Sequence, residues 1–153
     1  MQQFFTDEQW AVEAIEDQPA FEAAFEGDHG ELRLVGLCDD LEERFVFYAV
    51  LPLPCPPDRR PAVAELLTRV NYGMMIGNFE LDYDDGEIRY KTSSDLEDVP
   101  AHQALLRSGA FCAVTTMDLY RPAIEAVIAG TMAPSEAVDS VELEEEPELK
   151  TGL

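Results

Sequence analysis

The chain has 153 residues, with 32 acidic side chains against 10 basic ones and a formal net charge of -22. That balance excludes recognition of nucleic-acid phosphates or of an anionic membrane through a cationic surface. A hydrophobic fraction of 46% separates it from acidic disordered chains and suits one domain burying roughly 70% of its unfolded surface.

Thr6 and Gln9 form a capping box, with Asp7 and Glu8 placed where the helix dipole favours acid. They predict a helix from Thr6 to about Asp17 carrying Trp10, Ala14 and Ile15 on one side, closed off by Pro19. Phe21 to Glu26 alternates apolar and polar, a strand with Phe21, Ala23 and Phe25 turned inward. Gly27-Asp28-His29-Gly30 reads as a turn, Glu31 to Cys38 as a second strand, and Asp39 to Glu43 as an acidic turn. Arg44 to Leu51, RFVFYAVL, is then a strand apolar on both faces. Such a strand is either covered twice or meets a second subunit on one side. Phe45, Phe47, Tyr48 and Val50 are accordingly the candidate interaction surface.

Four prolines, Pro52, Pro54, Pro56 and Pro57, make a stiff connector, better explained as a rigid loop than as a docking motif for an SH3-type domain. With Asp58 as N-cap, a helix is expected to about Tyr72, buried along Val63, Leu66, Leu67 and Val70 and ended by Gly73. Asn78 to Thr92, NFELDYDDGEIRYKT, reads as a β-hairpin. A two-residue Asp85-Gly86 turn would set Tyr83 opposite Ile88, Leu81 opposite Tyr90 and Phe79 opposite Thr92. It would also set Asp82 against Arg89 and Glu80 against Lys91, opposite charges across the ladder. A loop is expected from Ser93 to Pro100. A long apolar stripe from Leu106 to Ile128 follows, with a break near Ser108-Gly109 and a kink or restart at Pro122, Asp118 lying near its cap. Gly130 closes it, and Pro134-Ser135-Glu136 opens one short last turn. The domain is expected to span residues 1–138, and residues 139–153 to be a mobile acidic tail.

Catalytic signatures are missing from the sequence: it holds no GxGxxG, P-loop, HExxH or GxSxG pattern. His29 and His102 lie far apart, and carboxylates are too abundant to single out a pair. Asp82, Asp84, Asp85 and Gly86 approach a calcium loop, but the glycine comes one residue early and Ser93 stands where the chelating Glu is needed. Cys38, Cys55 and Cys112 show no CxxC spacing; Cys38 and Cys112 read as buried free thiols in a reducing cytoplasm, and Cys55 as structural rather than reactive. No signal-peptide pattern and no run of about 20 apolar residues occur, so a soluble cytoplasmic protein is expected. Neither catalytic residues nor a metal or cofactor are expected.

Three stretches carry a family resemblance: LLTRVN from Leu66 to Asn71, GMMIGNFELDYDDGEIRYKT from Gly73 to Thr92, and DLYRPAIEAVIAGTMAPSEAV from Asp118 to Val138. Together with the element order helix, three strands, helix, two strands, helix, they resemble the YbjN family of bacterial sensory transduction regulators. The resemblance implies an α+β fold like that of type III secretion chaperones, an antiparallel sheet of about five strands with helices on one face. It further implies a homodimer and a protein partner presenting a partly unfolded segment, while the acidic charge favours a basic partner. Asn71, Tyr120 and Pro122 are read as structural, Asn71 capping or bridging near the helix end. The expected function is thus a non-catalytic interaction module, chaperone-like or a regulatory adaptor. The alternative is a small ligand-binding protein or enzyme with acidic residues in a cleft.

Overall fold

The computed structural model describes residues 12–15, 19–39, 44–96 and 103–142. Four strands come first: β1 (Val12–Ala14), β2 (Ala20–Gly27), β3 (Gly30–Asp39) and β4 (Arg44–Val50). Helix α1 (Arg60–Gly73) leads to β5 (Asn78–Leu81) and β6 (Ile88–Asp95), then α2 (Gln103–Ala129) and α3 (Pro134–Glu142). The strands form one antiparallel sheet in the order β1-β2-β3-β4-β6-β5. The expected α+β class therefore holds, with six strands rather than about five.

Register assigns the two faces. Phe47 pairs with Gly36 and with Thr92, and Ala49 with Leu34 and Tyr90, so these side chains point the same way. Leu32, Leu34, Phe45, Phe47, Ala49, Ile88 and Tyr90 join helix residues Val63, Leu66, Val70, Val114, Met117, Ile124 and Val127 in one core. Helix α2 lies on β6 and β4, α1 leans on β5 and α2, and α3 closes against both helices. Removing that much apolar surface from water is what holds the layers together.

Several expectations are corrected. The described part of the predicted first helix is strand: residues 12–14 pair with β2, Val12 opposite Ala23 and Ala14 opposite Phe21. The remainder, with Thr6 and Trp10, lies outside the described residues, as do residues 40–43. The loop expected from Ser93 begins later, since β6 continues pairing with β4 as far as Asp95 opposite Arg44. Helix α2 runs without a break. Gly109 is there for close approach: a Cβ would sit 3.3 Å from Phe47 and 3.4 Å from the Thr92 hydroxyl, which donates 3.0 Å to the Gly109 carbonyl. Pro122 stands inside the helix on its exposed side, where its ring meets no core packing. Helix α3 is longer than one turn because Ala137 and Val141 share its buried side, and Glu136 accepts from the Ala133 N–H at its start. It therefore reaches Glu142, four residues past the expected domain end.

Asp58 is not the cap of α1; Arg59 holds that position without a side-chain capping bond, and Pro61 removes one of the donors a cap would serve. The hairpin keeps its faces but slips by two residues: Phe79 opposes Tyr90, Glu80 opposes Arg89 and Leu81 opposes Ile88. Its turn is longer than the two residues expected. Asp82 N–H donates to Glu87, Gly86 N–H to Asp82, and the Asp82 and Asp85 carboxylates accept from Asp84 and Glu87 N–H at 2.7 and 2.8 Å. Gly86 adopts φ 85° with its Cα against the Cys55 backbone, where a Cβ would lie 2.2 Å from the carbonyl oxygen. The proline loop thus sets the turn.

Candidate interaction surfaces

The four residues of the candidate surface divide between the sheet's two sides. Phe45 and Phe47, each 3% exposed, lie in the core, their rings 4.6 Å apart and both near Phe21. Tyr48 and Val50 point to the opposite side, Tyr48 half-buried and Val50 buried. Strict alternation makes this inevitable, since odd and even positions of a strand cannot share a face.

On the side of Tyr48, β4 contributes Val46 and Val50, and β3 contributes Val35 opposite Tyr48 and Leu37 opposite Val46. No helix among the described residues packs on it. Charged pairs wall the apolar strip. The Arg89 guanidinium sits 4.3 Å from the Tyr48 ring centroid and donates to Glu80 at 2.7 Å; Lys91 reaches the same carboxylate at 2.8 Å. Arg33 lies 3.5 Å from Glu22 and 3.6 Å from Glu87. Burial alone would push the Glu80 carboxyl up, but hydrogen bonds from Lys91 and Arg89 outweigh it and hold the group below the usual range. The expected opposite-charge face therefore exists, with Glu80 serving both cations and Asp82 withdrawn into the turn.

A second region was legible only in part. Asp118, read as a helix-cap residue, is buried mid-helix with both oxygens occupied. They accept from the backbone N–H groups of Asp28 at 2.9 Å and His29 at 3.0 Å, and the His29 Nδ1 is 3.4 Å away. Arg121, one turn on, donates to the Glu31 carbonyl at 3.1 Å. One helix face thereby grips the β2–β3 turn, and Gly27 must be glycine because a Cβ would fall 2.3 Å from Asp118 Oδ1. The hollow alongside, lined by Phe25, His29, Thr115, Asp118 and Leu119, measures about 470 Å³. Its buried carboxylate accepts from two backbone donors and Thr115 donates to the Phe111 carbonyl, while the His29 imidazole, Glu26 and Asp28 also line the hollow. No cluster of three His, Cys, Asp or Glu suited to a metal occurs among the described residues. Cys55, 1% exposed, has its thiol pushed up by burial against the opposing pull of Arg60 and Arg59, consistent with a structural role.

The third region escaped sequence reasoning. At the end of α1 Tyr72 is 97% exposed, and in the loop to β5 Met75 is 98% and Ile76 63% exposed. The backbone carrying them is pinned. Asn71 bridges as its position suggested, accepting from Phe79 N–H at 2.7 Å and donating to the Phe79 carbonyl at 3.0 Å. The Tyr90 hydroxyl donates to the Ile76 carbonyl. Gly77 turns at φ 74°, with no room for a Cβ, which would lie 2.6 Å from the Lys91 carbonyl and 2.7 Å from the Tyr90 hydroxyl. The readable signal was three large apolar residues outside the helical stripe, set around Gly73 and Gly77 with no core position left for them.

Comparison with known proteins agrees with this architecture. The family model YbjN, described as "Putative bacterial sensory transduction regulator", matches residues 1–126. A solved structure described as "Crystal structure of YbjN, a putative transcription regulator from E. coli" superposes with a TM-score of 0.54 at 12% identity, covering 84% of this chain and 89% of that one. At that identity the likeness concerns the fold alone. No curated protein matches the sequence. None of the described helices is long and apolar enough to cross a membrane.

Proposed function

The chain belongs to the YbjN family, and from that premise we propose that it is a non-catalytic, protein-binding regulatory domain that works as a cytoplasmic homodimer. Its role is that of an adaptor or chaperone-like partner in sensory signalling, and the open side of the sheet is its self-association surface. The observation that carries this reading is the strip Val35, Leu37, Val46, Tyr48 and Val50, apolar and without a helix over it among the described residues, while the helices and the main core lie on the other side. A two-fold pairing of such strips would set Arg33, Arg89 and Lys91 of one copy against the acidic rim of the other. An ordinary interface of about 800 Å² per partner would suffice. With a charge of -22 per copy, the dimer must overcome long-range repulsion, so salt should tighten it.

The partner is a protein, basic or presenting a partly unfolded segment. The competing small-ligand or enzyme reading would rest on the hollow beside Asp118, where His29 lies 3.4 Å from a carboxylate that is itself held by two backbone N–H groups. Sedimentation equilibrium tests the dimer directly. The chain should associate more strongly at 500 than at 50 mM NaCl, on the order of the screening expected there, and Val46→Asp combined with Tyr48→Asp should give a folded monomer. A wild-type chain that stays monomeric at about 0.5 mM, far above ordinary dimer constants, would exclude the reading.

A further inference from the structure

The end of α1 and the loop to β5 carry an apolar patch that belongs neither to the core nor to the open sheet face, although Met74 within the loop packs against the core. Three large apolar side chains stand in water there, although the same loop, if slack, could fold them against the adjacent helix end. It is not slack. Asn71 ties its start to Phe79, Tyr90 holds the Ile76 carbonyl from below, and Gly77 fixes the exit. Side chains displayed on a backbone already fixed need little ordering when a partner arrives, which is the property of a preorganised binding loop. Exposed aromatic and methionine side chains are moreover the types that anchor interfaces.

We propose that Tyr72, Met75 and Ile76 form a docking site for a cationic protein segment bearing a cluster of apolar side chains. The occupant follows from charge. With a net charge of -22 on the chain, a basic partner is drawn in over several ångströms before any apolar contact forms. Complementarity is also local. The far end of β5 carries the exposed acids Asp82, Asp84 and Asp85, separated from the loop by the four-residue strand, about 13 Å at the usual rise per residue. A segment lying along this edge would seat its apolar cluster on the loop and its lysines or arginines on the turn. It would not add as a further strand, because the Asn71 amide already occupies the outward N–H and C=O of Phe79. This site rests on the protein-binding reading above but not on the sheet-face dimer.

The test uses the full chain and two fluorescently labelled synthetic peptides read by anisotropy. One peptide has four leucines followed by four lysines, and the other replaces the leucines with serine. The leucine–lysine peptide should bind, more weakly as salt rises. The variant Tyr72→Ser/Met75→Ser/Ile76→Ser should weaken it roughly tenfold or more, with sedimentation and circular dichroism unchanged. Asn71→Ala, which leaves all three side chains in place, should weaken it several-fold through loss of preorganisation. The proposal is overturned if no peptide binds, if the serine–lysine peptide binds equally well, or if the triple variant binds like the wild type. It is also overturned if the triple variant alters self-association, which would make the loop a contact between copies. Peptide binding by a strictly monomeric protein would sink the sheet-face dimer and leave this site standing.

Discussion

Asp118 offers the sharpest test of how this fold is held together. Replacing it with Ala removes the acceptor of two backbone donors, Asp28 N–H at 2.9 Å and His29 N–H at 3.0 Å, and releases the β2–β3 turn from α2. Hydrogen bonds to a charged group contribute about 1.5–3 kcal/mol each when nothing replaces them. Here both donors lie in an exposed turn, where water takes over part of the interaction, so a total near 2 kcal/mol is expected for Asp118→Ala. For a chain of this length that corresponds to a fall in Tm of about 4–8 °C. Urea unfolding followed by circular dichroism measures it. A control of equal weight comes from Gly27, whose hypothetical Cβ would fall 2.3 Å from Asp118 Oδ1. Gly27→Ala should destabilise the wild type by displacing the carboxylate, yet cost clearly less in the Asp118→Ala background, a coupling of about 1 kcal/mol in a double-mutant cycle. Equal cost in both backgrounds, or a loss below about 0.5 kcal/mol for Asp118→Ala, would refute the clamp.

Tyr90 predicts an alkaline effect. Burial pushes its hydroxyl up to about 12, so the folded state holds the proton where the unfolded chain releases it. The associated stability is fully present below pH 10 and is lost as pH rises through about 12, some 2–3 kcal/mol in all. Tyr90→Phe should remove that alkaline loss in the difference between the two denaturation profiles while costing about 1 kcal/mol at neutral pH through the Ile76 bond. Glu80 acts at the other end of the scale. Its lowered carboxyl contributes stability above the ordinary carboxylate range that is lost as pH falls through the native value, so Glu80→Gln should flatten the acid limb and cost at most about 1 kcal/mol at pH 7. Asn71→Asp keeps an acceptor for Phe79 N–H but sets a carboxylate against the Phe79 carbonyl; about 1–2 kcal/mol should be lost. Light scattering on warming should show earlier aggregation from the uncovered edge.

Pattern carried the sheet a long way. Alternation located β2, β3, β4 and the 78–92 hairpin, and the faces of that hairpin survived an error of register because a slip of two residues preserves parity. What failed were decisions resting on one residue's local propensity. The Thr6 capping box led to helix through Val12–Ala14, where pairing with β2 prevails over any helical preference. Gly109 and Pro122 read as interruptions because a sequence shows their cost to a helix but not the Phe47 ring that a smaller residue lets approach. Asp118 was assigned to a cap for the same reason: its partners lie about 90 positions away, and nothing local marks a carboxylate destined for a distant turn. Strand β4 is legible as an element, yet Phe45, Phe47, Tyr48 and Val50 straddle both of its faces, since a doubly apolar strand leaves the direction of burial open.

The allocation of scarce cations ties these observations together. Of 10 basic residues, Arg59, Arg60 and Arg121 spend guanidinium donors on backbone carbonyls, those of Val127, Cys55 and Tyr83, and Glu31. Each joins segments distant in sequence, as Asn71 and Asp118 do, so polar side chains here fasten loops to helices rather than cancel surface charge. Arg33, Arg89 and Lys91 cluster on the open sheet face, where acid and base are interleaved. Elsewhere the acids are left in excess. A fold stabilised this way does not depend on exposed ion pairs, and added salt should raise its stability by damping repulsion. It also leaves the negative field intact, which the docking site proposed at Tyr72, Met75 and Ile76 would require to draw in its basic segment.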